Sequence, residues 1–369
     1  MHTPHVTVLG AGLIGKAIVH DLCHDYAVTA VDHSPAALEA LSHQPCGHAA
    51  LDAFATGALE SVAGHADLVV MAMPGAIGHK LLERLVYLGK RVVDISFTEE
   101  DPTHLNELAV EHGAVVIPDA GVCPGLSNIV AGYAAAHLFS RLDKYVCYVG
   151  GLPREPQGPW FYKNPFAAAS VVDEYTRPCR FRIDGQDVVL EPLSDSEEFE
   201  FPGVGPLVAF NTDGIRTLLR SLPQVPTLLE KTLRHREHYE FICRLKAAGF
   251  LTAARAQEFT EVASPGWKFE RGEEDITVMR LLFEGLSKEG APLRLHFDLL
   301  DRYDREARLL SMARTTGYTA AAVARLLLAG GFSEPGVHAP ERLGMNGNCY
   351  EAILAHLRVR GIEFAQTRV

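Results

Sequence analysis

His5-Val6-Thr7-Val8-Leu9-Gly10-Ala11-Gly12-Leu13-Ile14-Gly15, followed by Ala27-Val28-Thr29-Ala30-Val31-Asp32, sets the architecture of the first part of the chain. The first run reads as a buried strand passing through a glycine-rich turn into a helix, the second as the next strand, closed by an acid. Gly10 permits the tight turn, Gly12 lets the backbone approach a pyrophosphate at the helix N-terminus, and Gly15 lets helix and strand pack closely. Asp32, 22 residues after Gly10, stands where a carboxylate receives adenosine ribose hydroxyls. That carboxylate would repel a 2′-phosphate and no Arg follows it, so NAD+ is expected in preference to NADP+, although His33 and Ser34 could tolerate a phosphate. The expected cofactor-binding residues here are Gly10, Ala11, Gly12, Leu13, Ile14, Gly15 and Asp32.

From Val6 to Asp119 short β-branched runs alternate with helical ones, the pattern of a parallel sheet covered by helices. Strands are expected at HVTVLG, AVTAVD, DLVVMAMP, RVVDIS and AVVIPD, with a weaker one near HAAL, and helices at GHKLLERLVYLG and PTHLNELAVEHG. The second helix opens on Asp101 as N-cap with Pro102 at its first position. Met73 and Pro74, in MAMPG, fall at a strand's carboxyl end and should line the cofactor crevice, with Asp94 and Ser96 nearer its nicotinamide half. After Pro124 the pattern changes to a helix (GLSNIVAGYAAAHLF), a strand (KYVCYVGGLP), a hairpin turning at Asp184-Gly185, and a long pair, DITVMRLLFEG and APLRLHFDLLDRY. The expected fold class is α/β: a Rossmann doubly wound parallel sheet plus an α+β substrate domain with a mainly antiparallel sheet. The expected domains are 1–124 for the cofactor, 125–310 for substrate and dimerisation, and 311–369 as helices packing back on the first.

With 369 residues, 47% hydrophobic and 22% charged, the chain has the composition of a folded globular protein of two domains. A net charge of −12 disfavours nucleic acid, which needs a basic surface. No run approaches a membrane span and the first residues lack a signal peptide's basic region, so a cytoplasmic protein without a membrane partner is expected. The seven cysteines are scattered, with no C-x-x-C pair, so neither a metal site nor a disulfide framework is expected.

DAGVCPGLSNIVAGY, VGGLP, FYKNPFAAASVVDEYTRP, FNTDGIRTL, KTLRHREHYEFI, DITVMRLLFEG and SMARTTGYTAAAVARLLLAG occur in this order over nearly the whole length. In them the chain resembles the saccharopine dehydrogenase-like family, and its lysine 6-dehydrogenase branch more than the saccharopine-forming enzymes. The resemblance implies hydride transfer from an amine-bearing carbon to NAD+, leaving an imine that hydrolyses to an aldehyde and ammonia. The substrate would be L-lysine or a similar small amine or amino acid, and the protein a homodimer. A side-chain amine with a pKa near 10.4 must lose its proton first, at about 4.6 kcal/mol at pH 7, so a base or a desolvating pocket is required. The resemblance puts forward Lys163 and His238 for proton transfer, with Asp119 and Thr212 beside them. It puts Arg234 on a substrate carboxylate, with Asp213, Thr315 and Thr316 hydrogen-bonding the head group. The family pattern R-Y-P-G-H here reads Arg234-His235-Arg236-Glu237-His238. Two other readings stand beside this one. A reductive condensation of amine and carbonyl compound, as in saccharopine or carboxynorspermidine dehydrogenases, could use Arg177, Arg180 and Arg216 as further cations. A non-catalytic NAD(H)-binding protein would keep the glycine turn alone. Cys123 reads as a small buried thiol at a loop-to-helix junction.

Overall fold

The computed structural model describes residues 3–369, and the chain divides into two compact units. The first runs to Gly132 and takes in Ala313–Arg360; the second comprises Tyr133–Met312 and Gly361–Val369.

In the first unit β1 (His5–Leu9), β2 (Ala27–Asp32), β3 (Gly47–Ala50), β4 (Leu68–Met71), β5 (Arg91–Asp94) and β6 (Val115–Ile117) join Gly336–Val337 in a seven-stranded sheet. Every pairing in it is parallel, in the order Gly336–Val337, β6, β5, β4, β1, β2, β3. Every residue of β4 and β6 is buried. Since successive side chains point to opposite faces, both faces of the sheet centre are covered. The chain reverses its direction of strand addition between β1 and β4, which places a binding crevice at their carboxyl ends.

The C-terminal helices of this unit are fixed by close contacts. Helix Ser311–Leu328 meets helix Leu13–Leu22 at Gly317, where a Cβ would lie 3.0 Å from Ala17 Cβ and 3.2 Å from the Ile14 carbonyl oxygen. Asp21, buried on helix Leu13–Leu22, is bonded by Arg325, His356 and Arg360. Burial alone would raise its pKa, but the hydrogen bond from His356 and the charges of His356, Arg360 and Arg325 outweigh it and hold the carboxyl below its ordinary value.

The second unit contains β7 (Phe139–Pro153), β8 (Cys179–Ile183), β9 (Gln186–Leu190), β10 (Glu197–Phe201), β11 (Gly205–Asn211), β12 (Thr227–Arg234), β13 (Asp275–Ser287), β14 (Pro292–Arg302) and Ala365–Arg368. They form a nine-stranded sheet ordered β10, β11, β12, β7, β13, β14, Ala365–Arg368, with the β8–β9 hairpin leaving it at β12. Only β12 and β7 run parallel among these pairs. Asp184 and Gly185 both have positive φ, 50° and 82°, as a two-residue hairpin of matching twist requires. Helices Ala168–Thr176, Arg236–Ala247 and Ala256–Trp267 contribute to a core of Tyr162, Tyr175, Phe210, Ile242, Phe259 and Trp267.

The expected strands of both units are present, and the boundaries differ for identifiable reasons. The first unit extends past residue 124 to Gly132 because helix Leu126–Tyr133 is bonded into it: Asn128 Nδ2 donates to the buried Glu341 carboxylate at 3.3 Å. The helix expected to reach Phe139 ends in a π turn, Ala134–Leu138, and β7 starts at Phe139 because β13 is long enough to pair it with Ser287. Residues 361–369 separate from the C-terminal helices: Ala365–Arg368 pairs with β14 and covers that sheet edge.

Candidate active site

At the glycine turn of the first unit, Gly10 has φ +100°, and a Cβ on it would lie 2.3 Å from the Ala72 carbonyl oxygen. A Cβ on Gly15 would come within 1.9 Å of the Gly10 carbonyl oxygen, so both positions exclude any larger residue. Gly12 is different, since a Cβ there would meet no atom within 4 Å. The space beside it is open, and it is the N-cap of a ten-residue helix that no side chain caps. A cradle kept open before uncapped backbone N–H groups fits a pyrophosphate. Leu13 is half exposed beside it, and Ile14 lies against Gly317.

Asp32 is oriented by its own backbone surroundings. The Ala11 N–H donates to Oδ2 and the Ser34 N–H to Oδ1, each at 2.8 Å. This fixes the carboxylate at the end of β2 beside the turn, leaving lone pairs for ribose hydroxyls. The exposed His33 is 3.3 Å from Oδ1. Met73 Sδ would lie 3.5 Å from a Cβ on Gly10, and Pro74 precedes helix Gly75–Tyr87 as its N-cap residue. Ser96 is buried, its N–H bonded to Asp94 Oδ1 at 2.8 Å, and its hydroxyl has no hydrogen-bond partner. An orphaned hydroxyl at a strand's carboxyl end is a donor for a ligand amide.

Asp119 is buried with φ 51° at the start of the segment that doubles back through Gly121 and Gly125 into helix Leu126–Tyr133. Thr315 and Thr316 are buried on helix Ser311–Leu328, and Thr316 Cγ2 would lie 3.2 Å from a Cβ on Gly121. Asp119, Thr315 and Thr316 thus belong to the same unit as the cofactor turn.

Lys163, Thr212, Asp213, Arg234 and His238 belong to the second unit. Arg234 ends β12 fully buried, with all three nitrogens engaged: Nε donates to Tyr175 Oη at 3.3 Å, Nη1 to the Leu233 carbonyl at 2.9 Å, Nη2 to Glu174 Oε2 at 2.6 Å. Its guanidinium also lies 4.8 Å from the centre of the Tyr162 ring. Burial raises the Glu174 carboxyl, and Arg234 partly offsets this. His238 is 1% exposed, with Nδ1 2.8 Å from the Trp160 carbonyl oxygen, Nε2 2.9 Å from Tyr175 Oη, and its ring stacked on Tyr162 at 4.6 Å. Burial and then the Arg234 charge push its pKa down to about 3. A carbonyl can only accept, so Nδ1 carries the proton and Nε2 accepts from Tyr175. His238 is therefore a neutral imidazole with both nitrogens occupied.

Lys163 is one residue along from Tyr162 and partly accessible. Its Nζ donates to the Lys268 carbonyl at 2.8 Å and pairs with Glu273 at 3.1 Å. Thr212 and Asp213 make a separate polar group. Thr212 Oγ1 donates to Glu230 Oε2 at 2.6 Å and lies 2.8 Å from Thr232 Oγ1, while Asp213 accepts from the Arg180 N–H, Nε and Nη2 at 3.0, 3.1 and 2.7 Å. Tyr175 and Tyr162, which join Arg234 to His238, and Glu174, which pairs with Arg234, were not foreseen. Their signal was present: EYT lies within FYKNPFAAASVVDEYTRP, where acidic and aromatic residues face the basic KTLRHREHY stretch. Among the described residues no group of three or more His, Cys, Asp or Glu could hold a metal ion, and no helix is long and apolar enough to cross a membrane.

Residues 6–117 match the family model described as saccharopine dehydrogenase NADP binding domain, and residues 121–362 match saccharopine dehydrogenase C-terminal domain. Saccharopine dehydrogenase [NADP(+), L-glutamate-forming] of Schizosaccharomyces pombe is 26% identical over 234 residues, 59% of this chain and 51% of that protein. Its Pyricularia oryzae counterpart is 24% identical over 283 residues, 73% of this chain and 62% of that protein. The chain thus spans between half and two thirds of the length of these curated relatives. Among solved structures, apo saccharopine dehydrogenase (L-Glu forming) from Saccharomyces cerevisiae superposes with a TM-score of 0.80 at 19% identity, covering 99% of this chain and 100% of that one. Homospermidine synthase from Legionella pneumophila in complex with NAD gives 0.70 at 11% identity, covering 100% and 92%. These two likenesses concern the fold.

Proposed function

Because the chain belongs to the saccharopine dehydrogenase family, we propose that it is an NAD+-dependent amine dehydrogenase, oxidising the side-chain amine of L-lysine or a similar small amine. In balance, R–CH2–NH3+ and NAD+ with water give R–CHO, NADH, NH4+ and H+. The observation that carries the redox reading is the turn itself: Gly10 and Gly15 closed by backbone, Gly12 open, and Asp32 aimed by two N–H groups. When bound, the nicotinamide supplies the hydride acceptor. Asp32 holds the adenosine ribose and disfavours a 2′-phosphate, which supports NAD+ although the relatives are named for NADP(+).

Lys163 is the residue we assign to proton transfer, because its amine is partly accessible and has a carbonyl and a carboxylate to hold it. In its neutral form it takes the proton that the substrate ammonium must lose before the C–H bond breaks, and it returns that proton as the imine hydrolyses. Asp119 and Thr212 stay in this proposal as polar groups for the amine, and Asp213, Thr315 and Thr316 as polar groups for the head group. The charge pairing supports a substrate poor in carboxylates. Arg234 is matched by Glu174, Arg180 by Asp213, Arg177 by Asp173 and Arg182 by Asp187. The condensing reaction is the second reading, favoured by the relatives' names, and a homodimer belongs to the proposal.

The test is NADH absorbance with purified protein, NAD+ and separate additions of lysine, ornithine, diamines and saccharopine. NADH and ammonia with lysine or a diamine are expected. Turnover with saccharopine alone, or only with NADH plus an amine and a keto acid, would replace this reading by the condensing one. Lys163→Ala should lower turnover at least about a hundredfold.

A further inference from the structure

We propose that Glu174, Arg234, Tyr175 and His238 form a hydrogen-bond chain of fixed polarity that positions the 160–164 loop and with it the amine of Lys163; this rests on the reading of Lys163 as the proton-transfer group. The polarity follows from the ends. A guanidinium only donates, so Tyr175 Oη accepts from Arg234 Nε and its single proton goes to His238 Nε2. His238 Nδ1–H is then left for the Trp160 carbonyl, which only accepts. Each bond of the chain thus has one donor and one acceptor, and Glu174 balances the buried guanidinium at the far end.

The chain ends on the loop that carries Lys163. Trp160 is gripped through its carbonyl, and Tyr162 through its ring, stacked on His238 and met by Arg234. Beyond Lys163, the Asn164 N–H donates to the Trp267 carbonyl at 2.8 Å. Anchors thus flank Lys163 on both sides, leaving its Nζ at the Lys268 carbonyl and Glu273. Arg234, Tyr175, Tyr162 and His238 are each at most 2% exposed, so they set the loop from within the core. They are positioning residues, and Arg234 is not available to a substrate carboxylate while Glu174 holds it.

Tyr175→Phe removes both hydroxyl bonds and keeps the ring. The test labels the lysines of the full chain with acetic anhydride across pH 7–10 and reads each site by peptide mass spectrometry. Lys163 should react about fivefold faster in Tyr175→Phe than in the parent, the scale of one lost hydrogen bond, while exposed Lys80 is unchanged. In turnover, Tyr175→Phe should lower kcat about tenfold at constant KM for NAD+. The double variant with Lys163→Ala should be no slower than Lys163→Ala alone. Unchanged labelling in a folded variant, or losses that multiply in the double variant, would overturn the positioning role. Full turnover by Lys163→Ala would instead remove the proton-transfer reading, and labelling would still decide the positioning. Should Tyr175→Phe not fold, Glu174→Gln takes its place, with a rise of about twofold expected and no change counting against the proposal.

Discussion

Replacing Asp275 by Asn should unmask an acid instability that the native chain conceals. Two buried groups of the second unit titrate in opposite senses. His238 is pushed by burial, and then by Arg234, from its ordinary 6.5 down to about 3. Between those values the unfolded chain binds the extra proton, so stability is lost as pH falls. Asp275 is raised by burial from 3.8 to about 6, against the N–H bonds it accepts from Met312 and Ser311 and with the charge of Asp301 adding to the rise. Here the folded chain binds the extra proton, so stability is gained as pH falls. Linkage from pH 6 to pH 4 makes the His238 loss about 2.5 kcal/mol and the Asp275 gain about 2 kcal/mol, leaving a net loss near 0.5 kcal/mol. Asp275→Asn removes the gain. The variant also loses part of the cap at Ser311, at roughly 1 kcal/mol independent of pH. Urea unfolding followed by tryptophan fluorescence is the assay, since both tryptophans, Trp160 and Trp267, lie in the second unit. Between pH 6 and pH 4 the variant should lose about 2 kcal/mol more than the parent, the other carboxylates cancelling in the comparison. Equal pH dependence in the two proteins would refute the reasoning.

Gly12→Ala should fold with an unchanged melting temperature yet bind NADH at least about tenfold more weakly, whereas Gly15→Ala, which drives a methyl into the Gly10 carbonyl, should melt lower by several degrees; calorimetry and NADH fluorescence titration separate the two. Asp32→Ser should weaken NAD+ by about tenfold and narrow or reverse the preference over NADP+, read as the ratio of the two dissociation constants; an unchanged ratio would mean that Asp32 does not select the cofactor. Asp21→Asn leaves Arg360 without the Asp21 charge under the C-terminal helices and Arg325 with Asp25 alone, and should cost about 3 kcal/mol in chemical denaturation; a loss below about 0.5 kcal/mol would show the cluster to be solvated.

The first sheet was readable in the sequence because its signals are local. HVTVLGAGLIG needs only neighbours within a few residues to make strand, turn and helix, and Asp184-Gly185 likewise dictates its own hairpin. The unit boundaries were less readable, since they follow bonds between distant residues: Asn128 with Glu341 keeps helix Leu126–Tyr133 in the first unit, and Ala365–Arg368 finds β14 across a gap of more than sixty residues. In the second unit the sequence marked Arg234 and His238 as residues of consequence but read them as groups facing substrate. In the structure both are buried, and a guanidinium and an imidazole withdrawn from water meet internal partners at each nitrogen, here Glu174, Tyr175, Trp160 and the Leu233 carbonyl.

The sequence by itself determined the parallel sheet, the glycine turn, the acid that answers it and the family, all of which rest on short-range pattern and residue order. Only the tertiary structure decided which polar side chains are free for chemistry and which are spent on one another. That division depends on which donors and acceptors meet inside a core from which water is excluded, and residues 59 to 78 positions apart, as Arg234 and His238 are from their partners, carry no local sign of the meeting.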